Sequence, residues 1–291
     1  MSASLHHTGP QHGRPAATDA PRWSRQHPGA TAGGACLATA GPSLARPGVR
    51  RTGQTDLDDS DPAAAAMSER PCGAPRLVVC GTDTDVGKTV VSALLVQGLG
   101  AWYWKPVQSG LEQGGDRAWL TAVLQLPLER QLPEAYAFQA AVSPHWAAEM
   151  ETQTIDPDRL APPETNGQPL VIETAGGLHV PLNRHWLQID QLERWHLPVV
   201  LVARSGLGTL NHTLLSLEAL KRRSIPVLGL FLNGPLHADN PRTLEQFGGV
   251  PVLAQMPRLD PLDAASLQDT WQRQELGPKF ERLLLRQHPL P

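Results

Sequence analysis

The sequence predicts a doubly wound α/β domain, with a mainly parallel sheet, helices on both faces and a P-loop after the first strand. Three observations predict it. From residue 76 onward, short apolar runs alternate with stretches of helical period. Several runs are apolar throughout rather than alternating, as parallel strands covered on both faces require. The first run, Leu77-Val78-Val79-Cys80, leads directly into Gly81-Thr82-Asp83-Thr84-Asp85-Val86-Gly87-Lys88-Thr89 and then an apolar stretch from Val90 to Leu99.

In chain order, the expected strands are Leu77–Cys80, Ala101–Trp104, Leu170–Glu173, Val199–Ala203, Val227–Leu232 and Val252–Gln255. The expected helices are Thr89–Leu99, Asp116–Leu126, Ser143–Glu149, Leu187–Trp195 and Asn211–Arg223. In the last helix Leu214, Leu217 and Leu220 share a face with Leu215 and Ala219, Asn211 is the expected N-cap, and Glu218 pairs with Arg222 at i,i+4. Trp102 and Trp104 alternate along their strand and are expected to pack rather than stack on bases.

Residues 1–73 are rich in Pro, Gly, Ala, Ser and His and carry no sustained apolar period. They read as a disordered extension ahead of a P-loop domain spanning 74–291. Met67, in Met-Ser-Glu-Arg just before the first strand, is the expected start of the compact domain, with what precedes it either an upstream start assigned too early or a dispensable tail. A transit peptide is the rival account, since through Thr55 the extension holds six Arg and one acid, Asp19. Up to Ala66 six Arg and five Asp give net +1, which leaves −4 of the total −3 on the remainder. Neither part has a nucleic-acid or membrane footprint, and no run approaches the length of a membrane span. The three cysteines, Cys36, Cys72 and Cys80, form no C-x-x-C, which fits a reducing cytoplasm, and Cys80 reads as a small buried hydrophobe.

Lysine is scarce: 21 Arg stand against Lys88, Lys105, Lys221 and Lys279. Lys88 and Lys105 are therefore candidates for work that needs a compact ammonium. Lys221 favours a helix C-terminus, and Lys279 reads as solvated surface.

The glycine loop carries the chemistry. Its backbone N–H groups and the helix N-terminus suit phosphate oxygens, Lys88 reaches the β and γ phosphates, and the Thr89 hydroxyl suits Mg²⁺. Thr82 stands where the first Gly of the usual loop belongs, with Gly81 one step earlier.

Further polar residues follow the other strands. Lys105 is held extended by Pro106 and precedes Val107-Gln108-Ser109-Gly110. Glu173, followed by Thr174-Ala175-Gly176-Gly177, suits Mg²⁺ opposite Thr89, with a slim loop beside the phosphates. Asp116, opening a helix after two glycines, is either a second metal carboxylate or a plain N-cap. Ser205-Gly206-Leu207-Gly208-Thr209-Leu210-Asn211 brings a second glycine loop to a helix N-terminus, another anion site. Asn233, before Gly234, either reads an adenine edge or is a turn residue.

Taken together, Gly81–Thr89, Lys105–Gly110, Ser143-Pro144-His145, Glu173–Gly177, Gly208–His212 and Asn233 resemble the dethiobiotin synthetase family over residues 76–260. The resemblance implies an ATP-dependent enzyme that carboxylates and cyclises 7,8-diaminononanoate with CO₂ in biotin biosynthesis. It implies that Lys88 and the backbone of Asp85, Val86, Gly87, Thr89 and Val90 hold the ATP phosphates, beside Thr174, Ala175 and Gly176. It further implies Mg²⁺ among Thr89, Asp116 and Glu173, and Lys105 with Ser109 at the diamine and its carbamate. Asn233, Gly234 and the Pro257-Arg258-Leu259 turn would hold adenine. Gly208, Thr209, Leu210 and Asn211 would bind the diamine's carboxylate from the partner subunit of a homodimer.

Two departures from the family stand out: Thr174 replaces a usual Gly, and the segment between Lys88 and Lys105 is short. Two rivals share the fold. A nucleotide-switch ATPase of the partition type usually carries an extra Lys early in the loop, where this chain has Thr82 to Asp85. A cobyrinate-type amidating synthetase would be followed by a glutaminase domain with a nucleophilic Cys, and no Cys follows Cys80.

Overall fold

The computed structural model describes residues 74–287. The expectations for residues 1–73, including the start at Met67 and the cysteines Cys36 and Cys72, lie outside the described residues.

The chain begins with β1 (Arg76–Gly81), α1 (Lys88–Gly98), β2 (Trp102–Trp104), β3 (Val107–Gln108) and α2 (Asp116–Leu124). There follow β4 (Gln131–Leu132), β5 (Tyr136–Ala137), α3 (Pro144–Met150), β6 (Leu170–Gly177), β7 (Pro181–Asn183) and β8 (Trp186–Leu187). Next come α4 (Gln188–Trp195), β9 (Val199–Arg204), α5 (Thr209–Arg222) and β10 (Val227–Asn233). The last elements are α6 (Asn240–Gly248), β11 (Val252–Met256), α7 (Ala264–Arg273) and α8 (Leu276–Gln287).

Seven strands form one sheet in the order β11-β10-β9-β1-β6-β2-β4. Every pairing in it is parallel. The apolar runs explain this, because each strand is covered on both faces. On one face Leu94 of α1, Leu267 of α7 and Phe280 of α8 pack over Val79, Val171 and Phe231. On the other, Ile189, Leu220 and Leu244 from α4, α5 and α6 cover Val78, Ile172 and Leu230. A smaller cluster of Val107, Tyr136, Phe138 and Ala147 seats α3 beside the sheet's carboxyl edge. Truncating one of these fully buried leucines to Ala would cost about 2–5 kcal/mol.

Six strands and five helices fall where the sequence predicts, with ends shifted by one or two residues except for β6, which runs four residues past its expected end at Glu173. Trp104 packs as expected, against Trp195 at a centroid distance of 6.2 Å. The Glu218–Arg222 pair forms at 2.6 Å, and Cys80 is fully buried.

Several expectations are corrected. The α5 N-cap is Gly208, not Asn211, because the turn starts at Thr209, whose hydroxyl meets Thr213. Leu215 is exposed, since the buried stripe of α5 runs through Thr209, Thr213, Leu217 and Leu220. Lys279 is half-buried and donates to the Leu253 carbonyl at 2.9 Å, so it ties α8 to β11 rather than lying in solvent. The helices α6, α7 and α8 were not among the expected elements. Among the described residues no helix is long and apolar enough to cross a membrane.

Candidate active site

Because the strands are parallel, their carboxyl ends and following loops gather at one edge, and the polar residues gather with them. The loop after β1 turns into α1 through Gly87, whose φ is +88°. A side chain there would stand 2.1 Å from the Asn233 amide nitrogen, so only Gly fits. Gly81, the displaced first glycine, is hemmed in by Val86 and Lys88 of its own loop. The Lys88 ammonium donates to the Asp83 carbonyl at 2.9 Å and closes the loop over the start of α1.

Four side chains from four elements meet beside this loop. The Thr89 hydroxyl, in the first turn of α1, lies 2.8 Å from Glu173 Oε1 and 3.0 Å from Asp116 Oδ1. Lys105, just after β2, reaches Glu173 Oε1 at 3.3 Å and also contacts Asp116 Oδ2. Asp116 is the first residue of α2, whose N-cap is Gly115. Its side chain points into this cluster while its backbone N–H is taken by Gln108 Oε1 at 3.1 Å. The capping role left open for Asp116 is therefore not the one it plays. Glu173 lies within β6 rather than at its end, completely buried, and accepts from the Tyr103 hydroxyl at 2.9 Å.

Two ammonium groups and two carboxylates share this space. Burial pushes the Lys88 ammonium's pKa down, only partly offset by Glu173. Burial also acts to lower Lys105, but Glu173 and Asp116 outweigh it and hold that ammonium above the usual lysine range. Lys105 is thus a fixed positive charge in neutral solution. Burial, followed by Glu173, drives the Tyr103 phenol well above its ordinary pKa, so it remains a donor. Cys80 beneath the loop is pushed up to about 12 by burial and stays a neutral thiol.

The donor set suits a small divalent cation. One hydroxyl proton on Thr89 cannot satisfy both carboxylate oxygens near it, and all the atoms are hard oxygens. Among the described residues no three His, Cys, Asp or Glu side chains come together as a metal cage. A cation here would draw its remaining ligands from phosphate and water, the usual arrangement for Mg²⁺.

The cluster lines a cavity of about 870 Å³. Asp85, Gly87, Lys88, Thr89, Val90, Lys105, Ser109, Asp116, Glu173, Ala175 and Gly176 all reach it. Val86 is buried beneath the loop. Thr174 is not on the cavity wall: its buried hydroxyl faces the Val79 carbonyl of β1 at 3.4 Å, away from the phosphate side. The extra side chain at this departure thus enters the sheet core rather than the nucleotide's space.

Other expected site residues lie elsewhere. Asn233 turns its amide onto the P-loop, donating to the Val86 and Gly87 carbonyls at 2.8 and 3.2 Å, while its Oδ1 is buried without a partner. Gly234, Pro257, Arg258 and Leu259 follow β10 and β11, outside the cavity lining. Gly208, Thr209, Leu210 and Asn211 are also outside it. Gly208 and Asn211 are exposed, whereas the Thr209 side chain is buried against Thr213.

Among the residues that sequence reasoning missed, three shape the site most directly. Gln108 orients α2, Trp119 joins the wall from the next turn of α2, and Tyr103 holds Glu173. Position could have found Gln108, which stands three residues after Lys105 on the segment that delivers it.

A family model described as an AAA domain matches residues 75–266. ATP-dependent dethiobiotin synthetase BioD of Afipia carboxidovorans (strain OM5) is 51% identical over 193 residues, which are 66% of this chain and 92% of that protein. The biotin biosynthesis bifunctional protein BioCD of Bordetella avium (strain 197N) is 55% identical over 197 residues. Those residues are 67% of this chain but 42% of that longer protein, so the chain spans less than half of it. A ParA family ATPase from Chlorobium tepidum TLS is similar in structure at 15% identity and a TM-score of 0.44, over 72% of this chain and 98% of that one. That last likeness is too distant to bear on function. Sequence identity of this extent over nearly the whole of a relative, on a fold with the site described above, makes the chain a member of the dethiobiotin synthetase family.

Proposed function

We propose that this protein is an ATP- and Mg²⁺-dependent dethiobiotin synthetase, a ligase that closes the ureido ring of 7,8-diaminononanoate with CO₂. One observation carries the reading: Thr89, Lys105, Asp116 and Glu173 converge beside the P-loop in one cavity. The family membership supports it.

In this reading one amine of the diamine takes up CO₂ and loses a proton to give a carbamate. A carbamate oxygen attacks the γ-phosphorus of ATP, the bond to the β-bridging oxygen breaks, and ADP leaves. The second amine then attacks the activated carbonyl carbon and closes the ring, expelling phosphate, which takes up the proton that the amine loses. Lys88 and the N-terminus of α1 hold the phosphates, and Lys105 neutralises the carbamate with Ser109 beside it. Lys105 suits the task because its compact ammonium is buried and held in place beside Asp116 and Glu173. Thr89, Asp116 and Glu173 would hold Mg²⁺, which supplies charge neutralisation on the phosphates when bound. Catalysis is otherwise a matter of positioning, since the reaction needs little acid–base chemistry from the protein.

Asn233, Gly234 and the 257–259 turn are assigned to the adenine end. The unpartnered Oδ1 of Asn233 supports this, because an exocyclic amine is the donor it lacks. Gly208 to Asn211 are assigned to the diamine's carboxylate across a homodimer. The exposure of Gly208 and Asn211, outside the cavity of their own chain, supports that assignment. The expected compartment is the cytoplasm, and neither nucleic acid nor membrane is an expected partner.

A steady-state assay tests the function. Phosphate release should require both the diamine and bicarbonate, and dethiobiotin should appear in equal amount. Phosphate release independent of the diamine would contradict the reading and favour a switch ATPase.

A further inference from the structure

Glu173 is a carboxylate with no exposure to water at all. An ion so placed survives only if its oxygens are all engaged. Oε1 is engaged on the cavity side by Thr89 and Lys105. Oε2 has one hydrogen-bond donor among the described residues, the phenol of Tyr103, which is itself fully buried.

The sheet explains how the two meet. Tyr103 pairs in register with Val171 on the neighbouring strand β6, and Trp104 pairs with Ile172. Residues two apart on a strand share a face, so β2 carries Tyr103 and its extension carries Lys105 toward the same side. Glu173 is likewise two residues beyond Val171. The phenol and the ammonium therefore grip opposite oxygens of one carboxylate, at 2.9 and 3.3 Å.

We propose that Tyr103 is a positioning residue for the cation site: by holding Oε2 it fixes the carboxylate so that Oε1 faces Thr89 and the phosphates. The inference rests on the reading of Thr89, Asp116 and Glu173 as the Mg²⁺ site. Without the phenol, Oε2 is buried and unpaired. The carboxylate then turns toward water in the cavity, and the preorganised face is lost.

Tyr103→Phe removes one oxygen and keeps the ring, so it isolates the hydrogen bond. The probe is Mn²⁺ in the presence of ADP, followed by electron paramagnetic resonance, with Mg²⁺ half-saturation of turnover as a second readout. Loss of a residue that orients a metal ligand typically weakens metal affinity about tenfold or more, and a change of that size is expected in both readouts. Binding of ADP in EDTA should change less than about twofold, because Tyr103 touches no phosphate-binding group. In a Glu173→Gln background, Tyr103→Phe should leave Mn²⁺ affinity unaltered, since its effect passes through the carboxylate.

A lower melting temperature with parental Mn²⁺ affinity would overturn the proposal and leave Tyr103 as core packing. So would an equal loss of Mn²⁺ affinity in both backgrounds. If the parent protein itself binds no Mn²⁺ with ADP, the metal reading fails and the Tyr103 proposal falls with it. A measurement that leaves Tyr103 in place guards against misfolding of the variant. The chain has two tyrosines, Tyr103 and Tyr136, so 3-fluorotyrosine in a Tyr136→Phe protein labels Tyr103 alone. Its ¹⁹F resonance should differ between metal-free ADP and Mg²⁺·ADP, and lose that difference in Glu173→Gln. An identical resonance with and without Mg²⁺ would overturn the proposal.

Discussion

Two regions at the carboxyl edge of the sheet behave differently. Around β1, β2 and β6, Thr89, Lys105, Asp116 and Glu173 are already in mutual contact, with opposite charges paired and Glu173 buried. Around β9, β10 and β11, the expected ligand residues are dispersed. Asn233 is spent on the P-loop, and Gly208 and Asn211 face outward beyond the cavity. The first region is preorganised by one chain. In the proposed function the second becomes part of a site only when a base or a second subunit arrives. Chemistry needs fixed charges, whereas binding determinants can be supplied late.

The largest effect should follow damage to the preorganised region at Lys105. Its ammonium lies between two carboxylates with almost no exposed surface. Losing one preorganised donor aimed at developing charge costs about 10²–10³ in kcat, so in the proposed function Lys105→Gln should lower kcat by about a hundredfold or more. Lys105→Arg should be nearly as damaging, because a planar fork cannot occupy the same space. Comparing kcat with the dissociation constant of ATP checks this, and full activity in the Arg variant would reduce Lys105 to a generic cation.

Next in size are Thr89 and Glu173, the proposed cation ligands. Thr89→Val and Glu173→Gln should each depress turnover by at least about tenfold while the protein remains folded. Circular dichroism and a Mg²⁺ titration of the rate are the checks. An unchanged Mg²⁺ dependence in Glu173→Gln would remove that residue from the site.

A smaller effect is expected where the two regions touch, at Asn233. Its hydrogen bonds to the Val86 and Gly87 carbonyls brace the P-loop, and each is worth about 1 kcal/mol. Asn233→Ala should therefore weaken inorganic tripolyphosphate severalfold, and ATP by more. If only ATP weakens, as followed by isothermal titration, Asn233 serves the base alone and the brace is inconsequential.

The same contrast marks what the sequence reveals. Thr89, Lys105 and Glu173 were legible because each follows or punctuates an apolar run, and parallel strands bring such positions to one edge. Asp116 was legible as a candidate but not as a settled one. Its distinction from an N-cap lies in where the side chain points, which depends on Gln108 holding its N–H. Tyr103 was hidden, since a tyrosine between two tryptophans reads as core and only tertiary packing places its hydroxyl against Glu173. Asn233 shows the converse: residue type suggested a ligand contact, but sequence does not tell which of its atoms the fold has already used.

In the fold, the helices α6 to α8 were missed although signals exist. Asp263 and Ser266 form a capping box at the start of α7, and Leu276 and Phe280 repeat at helical spacing along α8. The two-residue strands β3, β4, β5 and β8 were beyond reach, because two residues carry no period.

In the proposed function, one region of each chain performs the chemistry while the other completes the site of a second chain. Mixing Lys105→Gln with Asn211→Ala tests it most directly. Each variant alone should be inactive, and after subunit exchange half the dimers should be mixed. In a mixed twofold dimer one site carries both lesions and the other carries neither, so roughly a quarter of parental activity should return. Absence of any recovery, with mixed dimers confirmed by native mass spectrometry, would contradict the account and place Asn211 and Lys105 in the same chain's site.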